Sequence, residues 1–141
     1  MKWYGRSLAS GCLAVLAGFA ISAQAQAQAQ TYPTRSITMI VPFAAGGPTD
    51  VIARIVTAHM AQTLGQAIII ENVVGAGGTT ATTRAAKAAN DGYTLITGHM
   101  GTHAASVPLY PKLAYHPDKD FEPVGLLAGT PGLAALGVTV A

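Results

Sequence analysis

The sequence is short of the groups on which most catalytic and metal-binding proteins rely. It holds one cysteine, Cys12, one tryptophan, and only 6% aromatic residues. A single thiol excludes a disulfide framework and a cysteine-based zinc site. Charged residues make up 10% of the 141, while half of the chain is hydrophobic, which excludes an intrinsically disordered protein. There is no Gly-Lys-Ser/Thr, so no P-loop is present. No apolar run approaches the roughly 20 residues that a membrane-spanning helix needs. The length allows one domain at most.

What is there begins with an export signal. Lys2 and Arg6 precede an apolar run from Leu8 to Ile21, and a small-residue tract, Ser22 to Gln30, follows it. This order reads as a secretory signal peptide over residues 1–29, with Ala25, Ala27 and Ala29 equally readable as cleavage points. Cys12 lies ahead of most of the apolar run, so it is expected to leave with the signal, without marking a lipoprotein. Residues 30–141 then carry Arg35, Arg54, Arg84, Lys87, Lys112 and Lys119 against Asp50, Glu71, Asp91, Asp118, Asp120 and Glu122. Six bases against six acids is neutral. The net charge of +2 therefore belongs to the signal, and no electrostatic footprint for nucleic acid or a membrane surface remains.

The mature part alternates between two patterns. Ser36–Pro42, Ala67–Glu71 and Tyr93–Thr97 are short apolar runs of the kind that buried strands adopt. Between them lie a helical pattern from Thr49 to Leu64, stopped by Gly65, and an alanine-rich one from Thr79 to Ala89. In the first helix Ile52, Ile55, Val56, Met60 and Leu64 are expected on the packing side, with His59 near it. A short helix follows Gly101 and ends near Pro108. The stretch from Tyr110 to Pro123 reads as a surface connection, and Val124–Ala128 and Leu133–Val140 as two further strands. Strands alternating with helices predict an α/β fold with a parallel sheet covered on both faces.

In such a sheet the turns after successive strands share the carboxyl edge, where ligands bind. Here those turns are Ala44–Pro48, Gly75–Thr79 and Gly98–Gly101. Glycine allows backbone N–H groups to approach a ligand, and the helix N-termini that follow favour an anion. Thr49, Thr79, Thr80 and Thr102 add hydroxyls, and none of the turns contains Lys or Arg. A carboxylate suits that set better than a polyphosphate. For any one turn, tight-turn glycines and capping threonines are a sufficient explanation, but three turns on one edge favour binding.

Other chemistries are weaker. Gly75-Ala76-Gly77-Gly78-Thr79-Thr80 begins like a dinucleotide fingerprint, yet Thr80 stands where its third glycine belongs, and no acid follows the next strand. His99 and His103 are four apart but lack a third metal ligand, so hydrogen bonding or capping is the expected role. Ser106 has no nucleophile elbow around it. Asp50, in a first helical turn, is expected to complement the helix dipole or bond the neighbouring turn.

Several ordered motifs carry a resemblance. Tyr32-Pro33-Thr34-Arg35-Ser36-Ile37, Val41 to Asp50 (VPFAAGGPTD) with Arg54, Leu64-Gly65-Gln66, and Glu71 to Gly78 (ENVVGAGG) come first. Ala86-Lys87-Ala88, Asp91 to Leu95 (DGYTL), Leu109-Tyr110 and Asp120 to Val124 (DFEPV) complete the series. Together they resemble the extracytoplasmic receptors of tripartite tricarboxylate transporters, the Bug-type receptors. The resemblance implies a periplasmic-binding-protein-like fold of type II, in which two lobes close on a small carboxylate that is passed to membrane subunits of the transporter. It implies no enzyme activity and no cofactor. Carried over, the ligand contacts are Phe43, Ala44, Gly46, Gly47 and Asp50 in the first turn, Gly77, Gly78 and Thr79 in the second, and Gly98 and His99 in the third. Thr79-Thr80 departs from the asparagine-containing segment common after this Gly-Gly. Family members are more than twice as long, so residues 30–141 are expected to be the N-terminal part of a first lobe with the second lobe missing. Two alternatives stay open: a secreted nucleotide-binding α/β enzyme domain, and a truncated receptor fragment without function.

Overall fold

The computed structural model describes residues 32–130 and 133–140. The signal peptide, its cleavage between Ala25 and Ala29, and the fate of Cys12 lie outside them. Strand β1 (Ile37–Val41) leads through a turn to helix α1 (Pro48–Leu64) and then strand β2 (Ile68–Asn72). A 3-10 turn, Ala76–Gly78, opens helix α2 (Thr79–Ala86), and strand β3 (Thr94–His99) follows. A π-helical turn, Gly101–Ala105, runs into the short helix α3 (Ser106–Leu109). Strands β4 (Glu122–Thr130) and β5 (Leu133–Val140) come last.

The sheet order is β2-β1-β3-β5-β4. Strand β1 pairs in parallel with β2, Ile37 opposite Ile68, and with β3, Met39 opposite Leu95. The expectation of a parallel sheet holds for these three strands and not for the other two. Strand β5 runs antiparallel both to β3, with Gly98 opposite Gly137, and to β4. The connection accounts for the pairing of β5 with β4: only residues 131 and 132 separate the two strands. A two-residue link permits a hairpin, whereas a parallel pair needs a crossover of about a dozen residues. Strand β4 forms one edge of the mixed sheet, and its Val124 and Leu126 are largely exposed.

The alternation of β1 divides the core. Ile37, Met39 and Val41 face α1 with Ala53, Leu95 and Val138, and Ile40 lies on the other face with Ala81, Ala85, Ile96, Tyr115 and Phe121. Alanines at the helix–sheet contacts let both helices lie close to the strands. Helix α1 is rotated away from the expected packing side. Asp50, Ala53 and Thr57 are buried, with Met60 and Leu64 continuing their stripe. At 100° per residue, Ile55 sits about 140° round from Asp50 and His59 about 180°. Ile55 is accordingly 59% exposed, and His59 is exposed instead of packed. Helix α2 also ends earlier than its alanine content suggests, because Lys87 has already left helical geometry.

Two substitutions test this rotation. Met39→Ala should lower the free energy of unfolding by about 2–5 kcal/mol, and Ile55→Ala should change it by no more than about 0.5 kcal/mol, both measured by urea denaturation. Equal losses in the two variants would contradict the rotation.

Candidate functional site

The turns after β1, β2 and β3 meet at the carboxyl edge of the parallel strands. The first is held from within by a buried charge. Asp50 is 1% exposed. Its Oδ2 accepts hydrogen bonds from the Gly46 amide and from Nε of Arg54, each at 2.8 Å. Its Oδ1 accepts one from Nδ2 of Asn72 at 2.9 Å, and the same Asn72 nitrogen donates to the Phe43 carbonyl at 2.9 Å. The hydrogen bond from Arg54 is the main reason that the carboxyl is held well below the usual carboxylate range, with the Gly46 amide next, and together they outweigh the cost of burial. Asp50 is thus ionised, and its accepting positions are occupied by the fold.

The second turn is built from left-handed backbone. Ala76, Gly77 and Gly78 have φ of +45°, +64° and +92° in succession. The Gly78 amide donates to the Gly75 carbonyl at 2.8 Å, and the Thr79 hydroxyl to the Ala76 carbonyl at 2.9 Å. Gly78 is where the turns touch. A Cβ there would lie 2.7 Å from Cγ2 of Thr102, 3.2 Å from Cβ of Pro42 and 3.4 Å from Cζ of Phe43. The Tyr110 hydroxyl stands beside Gly77, 3.0 Å from where a Cβ would be.

The third turn is organised by two imidazoles. His99 stacks on Phe43 with ring centroids 4.8 Å apart and planes 13° from parallel. Its Nδ1 accepts the Gly101 amide at 2.7 Å. The Thr102 hydroxyl accepts from the His99 amide and donates to the His99 carbonyl, both at 3.1 Å, and lies 2.8 Å from Nδ1 of His103. Beneath it, the Tyr115 hydroxyl donates to the Thr102 carbonyl at 2.5 Å. Burial pushes both imidazoles below their ordinary range, and the neighbouring His99 adds to the effect on His103. A cavity of about 380 Å³ opens beside them, lined by His99, His103, Val124, Leu126, Val138 and Thr139 among others.

Of the residues expected at the ligand edge, the fold brings Phe43, Gly78 and His99 into one contact group. Ala44, Gly46 and Gly77 are exposed around it, and Gly47 is half-buried. Asp50, Thr79 and Gly98 are buried, with Asp50 committed to Arg54, Gly46 and Asn72, and Gly98 packed under the His103 ring. Asn72, Tyr115 and Tyr110 were not singled out as ligand contacts by sequence reasoning, although Tyr110 stands in one of the motifs that carry the resemblance. For Asn72 the signal was available: an amide side chain ends a strand at a glycine-rich turn, where both of its polar groups need partners.

The family described as the tripartite tricarboxylate transporter family receptor, TctC, matches residues 52–137. The chain belongs to this family. Among solved TctC-like structures, MatC from Rhodopseudomonas palustris with bound malate is 67% identical with a TM-score of 0.66, covering 68% of this chain and 33% of that one. A second R. palustris protein, solved with adipate, is 41% identical with a TM-score of 0.65, over 67% of this chain and 32% of its own. Protein BugT of Bordetella pertussis is 40% identical over 84% of this chain and 37% of its own length. The chain therefore spans about a third of the length of the relatives it matches. The α/β fold expected from the motifs is the fold of these periplasmic binding proteins. The family is one of receptors, not enzymes, so the nucleotide-dependent enzyme is set aside.

Two predictions come from this geometry. Gly78→Ala combines left-handed backbone with a clash against Thr102, whereas Gly46→Ala meets open space at φ +81°. In thermal melts the first should cost about 1–3 kcal/mol and the second about 1 kcal/mol or less. Asp50→Asn should cost about 1.5–3 kcal/mol at neutral pH, the worth of a hydrogen bond to a charged group. Since the folded carboxyl titrates below its unfolded value of about 3.9, its contribution is complete above that pH and is lost as pH falls below it. Below about pH 4, therefore, the gap in stability between the wild type and Asp50→Asn should narrow, as followed by chemical denaturation across pH.

Proposed function

We propose that residues 30–141 are the N-terminal part of the first lobe of a periplasmic receptor, exported by the signal in residues 1–29. The receptor takes up a small carboxylate and passes it to membrane subunits of a tripartite tricarboxylate transporter. The observation that carries this reading is the convergence of three amide-bearing turns on one edge without a lysine or arginine in any of them. The malate and adipate bound by the two R. palustris relatives are of the class this edge suits.

The geometry divides the work between the candidate residues. The amides of Gly46, Gly47 and Gly78 donate within the fold, to Asp50, Ala44 and Gly75. Among the described residues, the amides of Ala44, Ala45 and Gly77 have no such acceptor. The first amides of α1, at Thr49 and Asp50, are unpaired by the rule that governs helix N-termini, and Gly47 supplies no side-chain cap. These donors, with the helix dipole behind them, form an anion-binding wall. In this reading Ala44, Gly77, His99 and the face of Phe43 meet the ligand. Gly46, Gly47, Asp50, Gly78, Thr79 and Gly98 hold the shape of the turns. Closure of a second lobe over the wall would exclude water and complete the binding.

Titration of the isotope-labelled chain with malate, succinate and adipate tests the reading by amide NMR. One wall alone is expected to bind in the millimolar range, with shifts concentrated at Ala44, Ala45, Gly77 and His99. Shifts confined to other surfaces, or none at tens of millimolar ligand, would overturn it.

A further inference from the structure

Resting on the carboxylate reading, we infer that His99 is a neutral hydrogen-bond donor to the ligand, locked with its ring proton on Nε2 by the Gly101 amide. The lock is geometric. An N–H group 2.7 Å from Nδ1 leaves that nitrogen only the accepting role, so the single proton of a neutral ring sits on Nε2. Every buried side-chain polar atom among the described residues has a partner, and Nε2 of His99 has none. It follows that Nε2 reaches solvent. The ring is held in place by its stack on Phe43, whose own carbonyl is tied to Asn72. A rigid donor is thereby presented at the junction of the first and third turns.

The contrast with His103 sharpens the assignment. The Nδ1 of His103 faces the Thr102 hydroxyl, and its Nε2 lies 3.5 Å from the Thr139 hydroxyl. Both partners of His103 are hydroxyls, which can donate or accept, so its contacts impose no single tautomer. Hydroxyls can turn, so His103 can accept a second proton without a clash. His99 cannot, because a proton on Nδ1 would point at the Gly101 N–H. Among the described residues that line the cavity beside the ring, His103 is the only other titratable side chain, and none carries a fixed charge. A carboxylate beside an imidazole ordinarily recruits a proton. Here the fixed amide opposes it, and burial acts in the same direction. Capture of the carboxylate should then take up no proton at neutral pH, and the Nε2–H would select a ligand that places an acceptor at the junction of the first and third turns.

Three measurements on the full chain test this, with malate as the probe. Long-range nitrogen–proton NMR of the ligand-free chain at pH 7 should show His99 bare at Nδ1 and protonated at Nε2; the reverse tautomer, or a mixture, would overturn the lock. Calorimetry in buffers of different ionisation enthalpy should give equal heats; a difference equivalent to one proton taken up would overturn the neutral donor. His99→Asn keeps an acceptor for the Gly101 amide but loses the outer donor, and should weaken binding about tenfold, the loss of one hydrogen bond to a charged group. His99→Gln restores a donor near that point and should recover part of the loss. Equal affinity in the wild type and both variants would remove the donor role. A chain with the expected tautomer but no response to malate, succinate or adipate overturns the receptor reading itself, and the two failures are distinct because the tautomer is read without ligand.

Discussion

The carboxylate of Asp50 is shared among a backbone amide, a guanidinium and a side-chain amide, and these come from the first turn, from α1 and from the end of β2. A charge 1% exposed is tolerable only when its accepting sites are filled, and removing one partner would leave it uncompensated. That requirement fixes several things together. It sets the rotation of α1, placing Ala53 and Thr57 against the sheet and leaving Ile55 in solvent. It draws Asn72 towards the first turn, and Asn72 in turn holds the Phe43 carbonyl. The Phe43 ring is thereby available to stack on His99.

The candidate edge is thus assembled by contacts between turns more than by any turn alone. Gly78 is buried where Pro42, Phe43 and Thr102 leave no room for a side chain. The same close approach explains why this position carries no side chain: bulk there would push the three turns apart. The hydroxyls of Thr102 and Tyr115 finish the packing under the third turn by satisfying polar groups that would otherwise be buried without partners.

Much of this was legible in the chain. The apolar run in Ser36–Pro42 announced the buried strand β1, and the glycines after the runs announced the turns. The run in Ala67–Glu71 announced a strand but not its burial, because β2 lies at the sheet's other edge, with no buried residue and Ile69 52% exposed. Local patterns carry such features because each depends on neighbours within a few residues. The position of β5 between β3 and β4 was not legible, since strand order is decided by long-range pairing, although the short link before Leu133 did allow a hairpin. The rotation of α1 was misread because hydrophobic periodicity gives weight to Ile55 and none to Asp50, while the buried hydrogen bonds give the reverse. Asp50 and Asn72 are 22 residues apart, and no spacing rule links them.

The pairing of Asp50 with Arg54 has an electrical consequence as well. Among the described residues, the one full charge buried beneath the edge is cancelled by a guanidinium on the same helix, and residues 30–141 carry equal numbers of acids and bases. What the edge offers an approaching anion is a set of oriented dipoles, whose field decays over a much shorter distance than that of a net charge. Encounter at such a surface depends on free diffusion, without long-range steering, and its rate should respond only weakly to ionic strength.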